Sequence, residues 1–142
     1  MKRNWRKDVE LGIPAIDADH VRLFDLVDRF SEQERQGLDR AALAEILGEL
    51  SDYARDHFRR EEAFQAAVGF HDAANHRTQH AFLLGQIDSL RGRYLDTPEM
   101  PGPEATQAVG ILLREWLVGH ILREDVKMRR YAAELDRVSA HA

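Results

Sequence analysis

Two histidines one helical turn apart are the residues best placed to bind a metal ion. His76 and His80 lie in a segment, Asp72 to Leu90, that contains no proline. Four residues advance an α-helix by about 400°, so both imidazoles project from one face. Two neutral imidazoles placed in this way form half of a site for a divalent transition metal, although such pairs also arise by chance. The zinc-protease pattern His-Glu-x-x-His is excluded, because Arg77 stands where that pattern needs a glutamate.

Further histidines and an acid share this placement on predicted apolar helix faces. His57 and Glu61 repeat the four-residue spacing, while His20 and His120 occupy apolar-face positions of two other predicted helices. Any one such histidine could be a hydrogen-bonded core residue. Burying five imidazoles and a carboxylate without strong partners, however, would cost about 1–3 kcal/mol each. Metal coordination is the more economical explanation.

The other polar residues near these positions are expected to have no part in the site. His71 falls in a predicted turn and His141 in the tail, so both are predicted to be solvated. Glu62 is off the apolar face and is predicted to be surface charge. The chain has no cysteine, so nitrogen and oxygen must supply every metal ligand.

The acidic ligand of the last helix is ambiguous from spacing. Glu124 lies four residues after His120, the position that an ideal helix would favour. Asp125 lies five residues after it, about 140° around an ideal helix. Spacing alone favours Glu124.

Four stretches with helical apolar spacing are predicted to position these residues. Gly37 is predicted to end the first helix and Gly69 the second, while Asp39 and Asp72 can cap the second and third. A loop from residue 96 to 103 contains all but one of the four prolines. The fourth helix begins near Pro103. The predicted apolar faces are Ile16, His20, Leu23, Val27 and Phe30; Leu43, Leu47, Leu50, Ala54, His57, Glu61, Phe64 and Val68; Ala73, His76, His80, Leu83, Ile87, Leu90 and Tyr94; and Val109, Leu113, Trp116 and His120.

The apolar face of the fourth helix changes register just after His120. An unchanged register would bury charged residues such as Arg123 and Lys127, which the cost of burial forbids. The apolar pattern resumes one residue later, at Met128, Tyr131, Leu135 and Val138. This slip predicts a locally wide turn after His120.

The predicted fold is all-α, an up-down-up-down four-helix bundle with an extended N-terminal arm. The 142 residues suffice for one domain with one sizeable core. We divide it into the arm at 1–15, where Gly12 and Pro14 discourage helix, the bundle at 16–138, and a short tail at 139–142. No internal repeat is evident.

Composition excludes several classes of function. The formal net charge is −5 and no basic stripe is interleaved with aromatic residues, which argues against a nucleic-acid partner. No apolar run is long enough to span a membrane, and the basic N-terminus lacks the apolar region of a secretory signal. We therefore expect a cytoplasmic protein without a membrane partner.

Taken together, the motifs resemble the ligand pattern of bacterial hemerythrins. That pattern is a histidine in the first helix, His-x-x-x-Glu in the second, His-x-x-x-His in the third and His-x-x-x-x-Asp in the fourth. The segments Gly12–His20 and Trp116–Ile121 are also similar to the family. The resemblance covers nearly the whole chain and favours Asp125 over Glu124. Met128 departs from it, because such proteins often have a tyrosine there. The implied metal ligands are His20, His57, Glu61, His76, His80, His120 and Asp125.

The resemblance implies a non-haem di-iron centre, Fe²⁺ or Fe³⁺, with an oxo or hydroxo bridge. One iron would take His76, His80 and His120 and the other His20 and His57, while Glu61 and Asp125 bridge both. The second iron would be five-coordinate, and O2 would bind there end-on and reversibly, for carriage, storage or sensing. The chain would be an oxygen-binding protein and not an enzyme. A redox or O2-consuming protein partner stays unidentified.

Reversible binding needs a pocket that supplies few protons and little water. The predicted lining is apolar: Leu23, Phe58, Trp116, Leu117 and Ile121. The same ligands could instead serve iron storage, or nitric oxide or peroxide handling, and a purely structural bundle is a further alternative. A ferritin-like centre is disfavoured, because the chain has no Glu-x-x-His motif.

Overall fold

The computed structural model describes residues 9–96 and 102–134, and these residues form four helices and no strand. Helix α1 spans Pro14–Gln36, α2 spans Arg40–Val68 and α3 spans Ala73–Asp96. The fourth helix is composite. It consists of α4 (Gly102–Ile111), a π-helical segment (Leu112–Leu117), α5 (Val118–Arg123) and a 3₁₀ segment (Asp125–Tyr131). The predicted all-α class is confirmed.

The first two helices end at the glycines that the sequence predicts. Gly37 and Gly69 follow α1 and α2 with φ of 89° and 66°, a left-handed conformation that glycine adopts at little cost. Asp39 caps α2, since its Oδ1 accepts a hydrogen bond from the Ala42 amide at 2.8 Å. Such short connections make consecutive helices antiparallel neighbours, as a bundle requires.

The fourth helix differs from the prediction in where its register changes. The wide turn lies before His120, in the π-helical segment, and the residues after Glu124 form a tighter 3₁₀ helix. Each π turn accommodates an extra residue, so the buried face moves from position 116 to position 117. Leu117 is buried and Trp116 is 37% exposed. The predicted core position of Trp116 is therefore wrong.

Two apolar clusters fill the bundle. The larger lies between all four helices and includes Phe30, Leu47, Ile87 and Leu113. The smaller lies at the end nearest the N-terminal arm and consists of Leu11, Ile13, Ile16, Phe64, Phe70 and Met128. The buried ligands described below belong to helix segments that pack against both clusters.

The described part of the arm packs against the bundle. Leu11 and Ile13 are buried, and α1 begins at Pro14. The carboxylate of Asp17 accepts hydrogen bonds from the Leu11 and Gly12 amides at 2.8 and 3.0 Å, which ties the arm to the first turn of α1. The remainder of the arm, residues 1–8, and the predicted end of the bundle and tail, from residue 135 onward, lie outside the described residues.

None of the described helices combines the length and hydrophobicity needed to cross a membrane.

Candidate metal centre

All seven predicted ligand side chains meet inside the bundle. Each is at most 6% exposed, and the two carboxylates, Glu61 and Asp125, are completely buried. They come from four helices: His20 from α1, His57 and Glu61 from α2, His76 and His80 from α3, and His120 and Asp125 from the fourth helix. Every imidazole turns its Nε2 atom toward a carboxylate oxygen.

The two oxygens of Asp125 face different histidines. Oδ1 lies 2.8 Å from His76 Nε2 and 3.0 Å from His120 Nε2. Oδ2 lies 3.0 Å from His20 Nε2 and 4.0 Å from His57 Nε2. Asp125 thus stands between two groups of imidazoles, with one oxygen toward each.

Glu61 approaches both groups as well. Its Oε1 lies 3.1 Å from His57 Nε2 and 3.3 Å from His80 Nε2, and its Oε2 lies 3.9 Å from His20 Nε2. These atoms are close but not in hydrogen-bond geometry. Both Glu61 oxygens and the Nε2 atoms of His57, His80 and His120 are buried with no hydrogen-bond partner among the described residues.

The arrangement therefore fits metal ions. Buried polar atoms without partners would cost several kcal/mol in total, and a cation that accepts their lone pairs removes that cost. The donor atoms form two compact groups, one of Glu61, His76, His80, His120 and Asp125 and the other of His20, His57, Glu61 and Asp125. Imidazole nitrogen with carboxylate oxygen suits iron and other divalent transition metals.

The charges of the centre depend on each other. Burial alone would raise the pKa of Asp125, but contacts with His120, His20 and His57 hold it well below its ordinary value. Burial likewise would lower the pKa of His57, but Glu61, Asp125 and Asp19 raise it well above the ordinary value. The pKa of His120 is raised too, against burial, by Asp125 and Glu61. Without metal, the centre therefore retains protons on imidazoles beside ionised carboxylates.

The structure places Asp125, and not Glu124, among the donors. Glu124 is partly exposed and accepts a hydrogen bond from Lys127 Nζ at 2.6 Å. The reason is the change of helix type after α5, because the ideal spacing that favoured Glu124 assumes an unbroken α-helix through position 125.

The sequence reasoning missed two carboxylates that form hydrogen bonds with predicted ligand histidines. Asp19 Oδ2 lies 3.0 Å from His57 Nδ1, and Glu62 Oε2 lies 2.9 Å from His80 Nδ1. The interpretation of Glu62 as surface charge is wrong, although its side chain is one-third exposed. The available signal was adjacency, since Asp19 directly precedes His20 and Glu62 directly follows Glu61.

Phe58 packs directly against histidines of the centre. Phe58 stacks on His80 with ring centroids 3.9 Å apart and also contacts His57 and His120 edge-on or tilted. Leu23, Leu117 and Ile121 are buried in the same apolar cluster as Phe58.

Trp116 lines an open surface groove of about 620 Å³, and Phe82 and His120 contribute to the same lining. Its ring centroid is 5.6 Å from that of Phe82.

The remaining predictions concern Met128 and the two outlying histidines. Met128 is fully buried in the smaller cluster, and its sulfur accepts a hydrogen bond from Gln65 Nε2 at 3.4 Å. His71 is exposed as predicted, with its Nδ1 2.8 Å from the Tyr131 hydroxyl. His141 lies outside the described residues.

Comparison with known proteins gives a consistent answer. The sequence model of the hemerythrin HHE cation-binding domain matches residues 11–132. A bacteriohemerythrin of Pseudomonas aeruginosa (strain LESB58) is 29% identical over 121 residues, which cover 85% of this chain and 75% of that protein. A bacteriohemerythrin of Stenotrophomonas maltophilia is 28% identical, covering 96% of this chain and 82% of the relative. One from Clostridium acetobutylicum is 27% identical, covering 85% and 94%. The match over most of the chain, together with the buried cluster of histidine and carboxylate donors, shows that the protein belongs to the hemerythrin family.

Proposed function

We propose that this protein binds O2 reversibly at a non-haem di-iron centre. The observation that supports the proposal is the inequality of the two donor groups. Both contain Glu61 and Asp125, but one adds three histidines and the other only two. Two ions held in this way would differ in their number of protein ligands, and the ion with fewer would have a position left for a small molecule.

The proposed ligands follow from that division. His76, His80 and His120 would hold one iron and His20 and His57 the other, with Glu61 and Asp125 shared and an oxo or hydroxo group as a third bridge. When bound, two ferrous ions would supply the electrons for reversible O2 binding, with the vacant position on the ion that has fewer protein ligands. The chain acts here as a binding protein, not as an enzyme.

The protein must also keep the bound metals from being oxidised. Phe58, Leu23, Leu117 and Ile121 are buried apolar side chains near the ligands on α1, α2 and the fourth helix, and we propose that they line the O2 pocket. Such a lining donates no proton and admits little water, which limits side reactions. Trp116 is not part of this proposed lining, because it is exposed in the outer groove.

The orientation of the imidazoles supports metal binding at Nε2. Carboxylates accept hydrogen bonds from the Nδ1–H groups of His57 and His80, so each ring, in the neutral form that binds metal, has its Nε2 lone pair available for the ion. Phe58 restricts the His80 ring further by stacking on it. These contacts hold donors in place before a metal binds.

The test is an oxygen-binding curve of the reduced, iron-loaded protein. We expect two irons per chain, a near-ultraviolet band from the oxo bridge in the oxidised form, and a spectrum that changes on exposure to O2 and reverts when O2 is removed. Failure to take up iron would contradict the proposal. So would steady O2 or peroxide consumption, or a nitric oxide reaction, without a stable oxygenated form, since these would indicate the alternative uses of the site.

A further inference from the structure

A buried acid on α1 and a surface arginine on α2 form a hydrogen-bonded chain to a ligand histidine. Arg60 donates from Nε to Asp19 Oδ2 and from a terminal nitrogen to Asp19 Oδ1, both at 2.7 Å. Asp19 Oδ2 lies 3.0 Å from His57 Nδ1. The side chain of Arg60 is 43% exposed, whereas Asp19 and His57 are buried. The chain therefore leads from solvent to the centre.

The geometry determines which nitrogen of His57 has the proton. Both oxygens of Asp19 accept hydrogen bonds from the guanidinium of Arg60, which is the geometry of an ionised carboxylate paired with an arginine. An ionised carboxylate only accepts hydrogen bonds, so the proton of a neutral His57 ring must lie on Nδ1. The Nε2 lone pair then points to the centre, where Nε2 lies 3.1 Å from Glu61 Oε1.

The ligand histidines are not all supported in this way. His80 has a comparable partner in Glu62, at 2.9 Å from its Nδ1. The Nδ1 atoms of His20 and His76 are buried without a hydrogen-bond partner among the described residues. Each donor group thus contains one histidine bonded to a carboxylate, namely His57 in the two-histidine group and His80 in the three-histidine group.

His57 and His80 differ in the further contacts of the carboxylate that accepts their hydrogen bond. Asp19 is clamped by the two-pronged guanidinium of Arg60, whereas the structure shows no arginine contact for the partly exposed Glu62 among the described residues. A carboxylate that already accepts two charged hydrogen bonds is a weaker acceptor from a third donor. A more weakly polarised imidazole donates less electron density to its metal.

We propose that Asp19 and Arg60 are positioning residues that act through His57: Asp19 fixes the ring and its proton, and Arg60 limits the electron density that the ring passes to its metal. This inference rests on the proposed function, because it assigns the effect to the ion where O2 would bind. A less electron-rich ligand favours the ferrous state. Arg60 therefore slows oxidation of that ion.

The experiment compares Arg60→Gln, Arg60→Lys, Asp19→Asn and the double variant Asp19→Asn/Arg60→Gln, with Glu62→Gln as the matched change at the other histidine. The first measurement is the proton resonance of His57 Nδ1–H in protein loaded with zinc, which needs neither iron nor O2. Arg60→Gln should move this resonance downfield and Asp19→Asn upfield. The double variant should resemble Asp19→Asn, because Arg60 acts only through Asp19. Glu62→Gln should leave the His57 resonance in place.

The second measurement is the oxidation rate of the iron-loaded protein in air. Arg60→Gln should oxidise faster, and Arg60→Lys, which keeps the charge but not the fork, should lie between that variant and the wild type. Asp19→Asn should lower zinc affinity about 10-fold or more, as expected when the partner of a ligand histidine is lost. Circular dichroism of the metal-free variants checks folding, and if Asp19→Asn does not fold, the two Arg60 variants decide the question.

The inference is overturned if Arg60→Gln leaves both the His57 resonance and the oxidation rate at wild-type values. It is also overturned if the double variant retains the full effect of Arg60→Gln on the His57 resonance. Failure of the proposed function would look different. In that case the wild-type iron protein would form no reversible oxygenated state, while the zinc-loaded resonances would still shift in the predicted order.

Discussion

At the scale of single residues, the centre combines five imidazoles with two carboxylates that are completely buried. The members depend on one another, because the histidines lower the pKa values of both carboxylates and the carboxylates raise those of His57 and His120, in each case against the effect of burial. A metal replaces the protons of these histidines with its own charge. Metal binding and proton release must therefore be coupled.

The first prediction is that loading the metal-free protein releases protons. Burial alone would lower the pKa values of His57 and His120, but the neighbouring carboxylates raise both, so these rings hold protons more readily than free imidazoles do, and a coordinating metal must displace those protons. We therefore expect a positive number of protons to be released per chain and an apparent affinity that rises with pH. Calorimetry in two buffers with different ionisation enthalpies measures this number. Heats that do not depend on the buffer would contradict the prediction.

The second prediction concerns Leu117, a buried apolar residue at the end of the π-helical segment. Leu117→Asn should leave iron bound but speed oxidation of the oxygenated protein. The new amide donor can stabilise the charge that develops as O2 takes electrons. A hydrogen bond worth about 1.5 kcal/mol corresponds to about tenfold in rate. Leu117→Met is the control and should keep the wild-type rate. Equal rates for the asparagine variant and the wild type would count against an apolar O2 pocket at this position.

At the scale of elements, the fourth helix places His120 and Asp125 from two segments of different helix type. Its four segments follow one another without a loop, and changes of helix type, not side-chain spacing, set the relative orientation of these two side chains. The π-helical segment accommodates one residue more than an α-helix of similar length. It thereby brings Leu117 and His120 to the buried face.

The third prediction compares two single-residue deletions in this helix. Deletion of the exposed Glu115 should convert the π turn to α-helix and leave His120 and Asp125 in place, so metal binding persists. Deletion of the exposed Gln107, in regular α4, should rotate the segments on either side by about 100° relative to each other and abolish metal binding. Zinc or iron content per folded chain is the readout. Loss of metal in the Glu115 deletion, with folding intact, would show that the π turn itself is needed.

At the scale of the whole molecule, the bundle holds a buried polar centre between two apolar clusters. In the metal-free protein, seven donor side chains stay buried together, and several of their polar atoms have no hydrogen-bond partner among the described residues. The folded state then binds metal where the unfolded chain has no assembled site. Metal is accordingly a source of stability for the entire fold.

The fourth prediction follows: removal of metal should lower the melting temperature of the whole bundle. With free metal at 1,000 times its dissociation constant, the stabilisation is about 4 kcal/mol, which corresponds to on the order of 10–20 °C for a chain of this size. Thermal unfolding followed by circular dichroism, with and without chelator, measures the shift. Protein prepared metal-free and then given chelator is the control. Superimposable melting curves for the loaded and metal-free forms would exclude this coupling.

Much of this organisation could be read from the sequence because it depends on local periodicity. The 3.6-residue period placed His57, Glu61, His76 and His80 on buried faces, and the structure buries all four. Helix ends at Gly37 and Gly69 followed from residue type alone, since glycine adopts a positive φ easily. Local rules failed where the helix type changed, at Trp116 and in the spacing argument for Glu124.

By itself, then, the sequence determined the helical class, the helix ends and the types of donor atom, because each depends on residues within one or two turns of each other. Helix spacing failed to place Asp125 toward the histidines, although the family resemblance favoured it over Glu124, and tertiary structure alone decided that Arg60 reaches Asp19 across 41 positions of the chain. Tertiary structure also decided that the π turn lies before His120. The physical reason is that helix phase and side-chain partners across helices depend on how whole elements pack, and packing joins residues that are distant in the sequence.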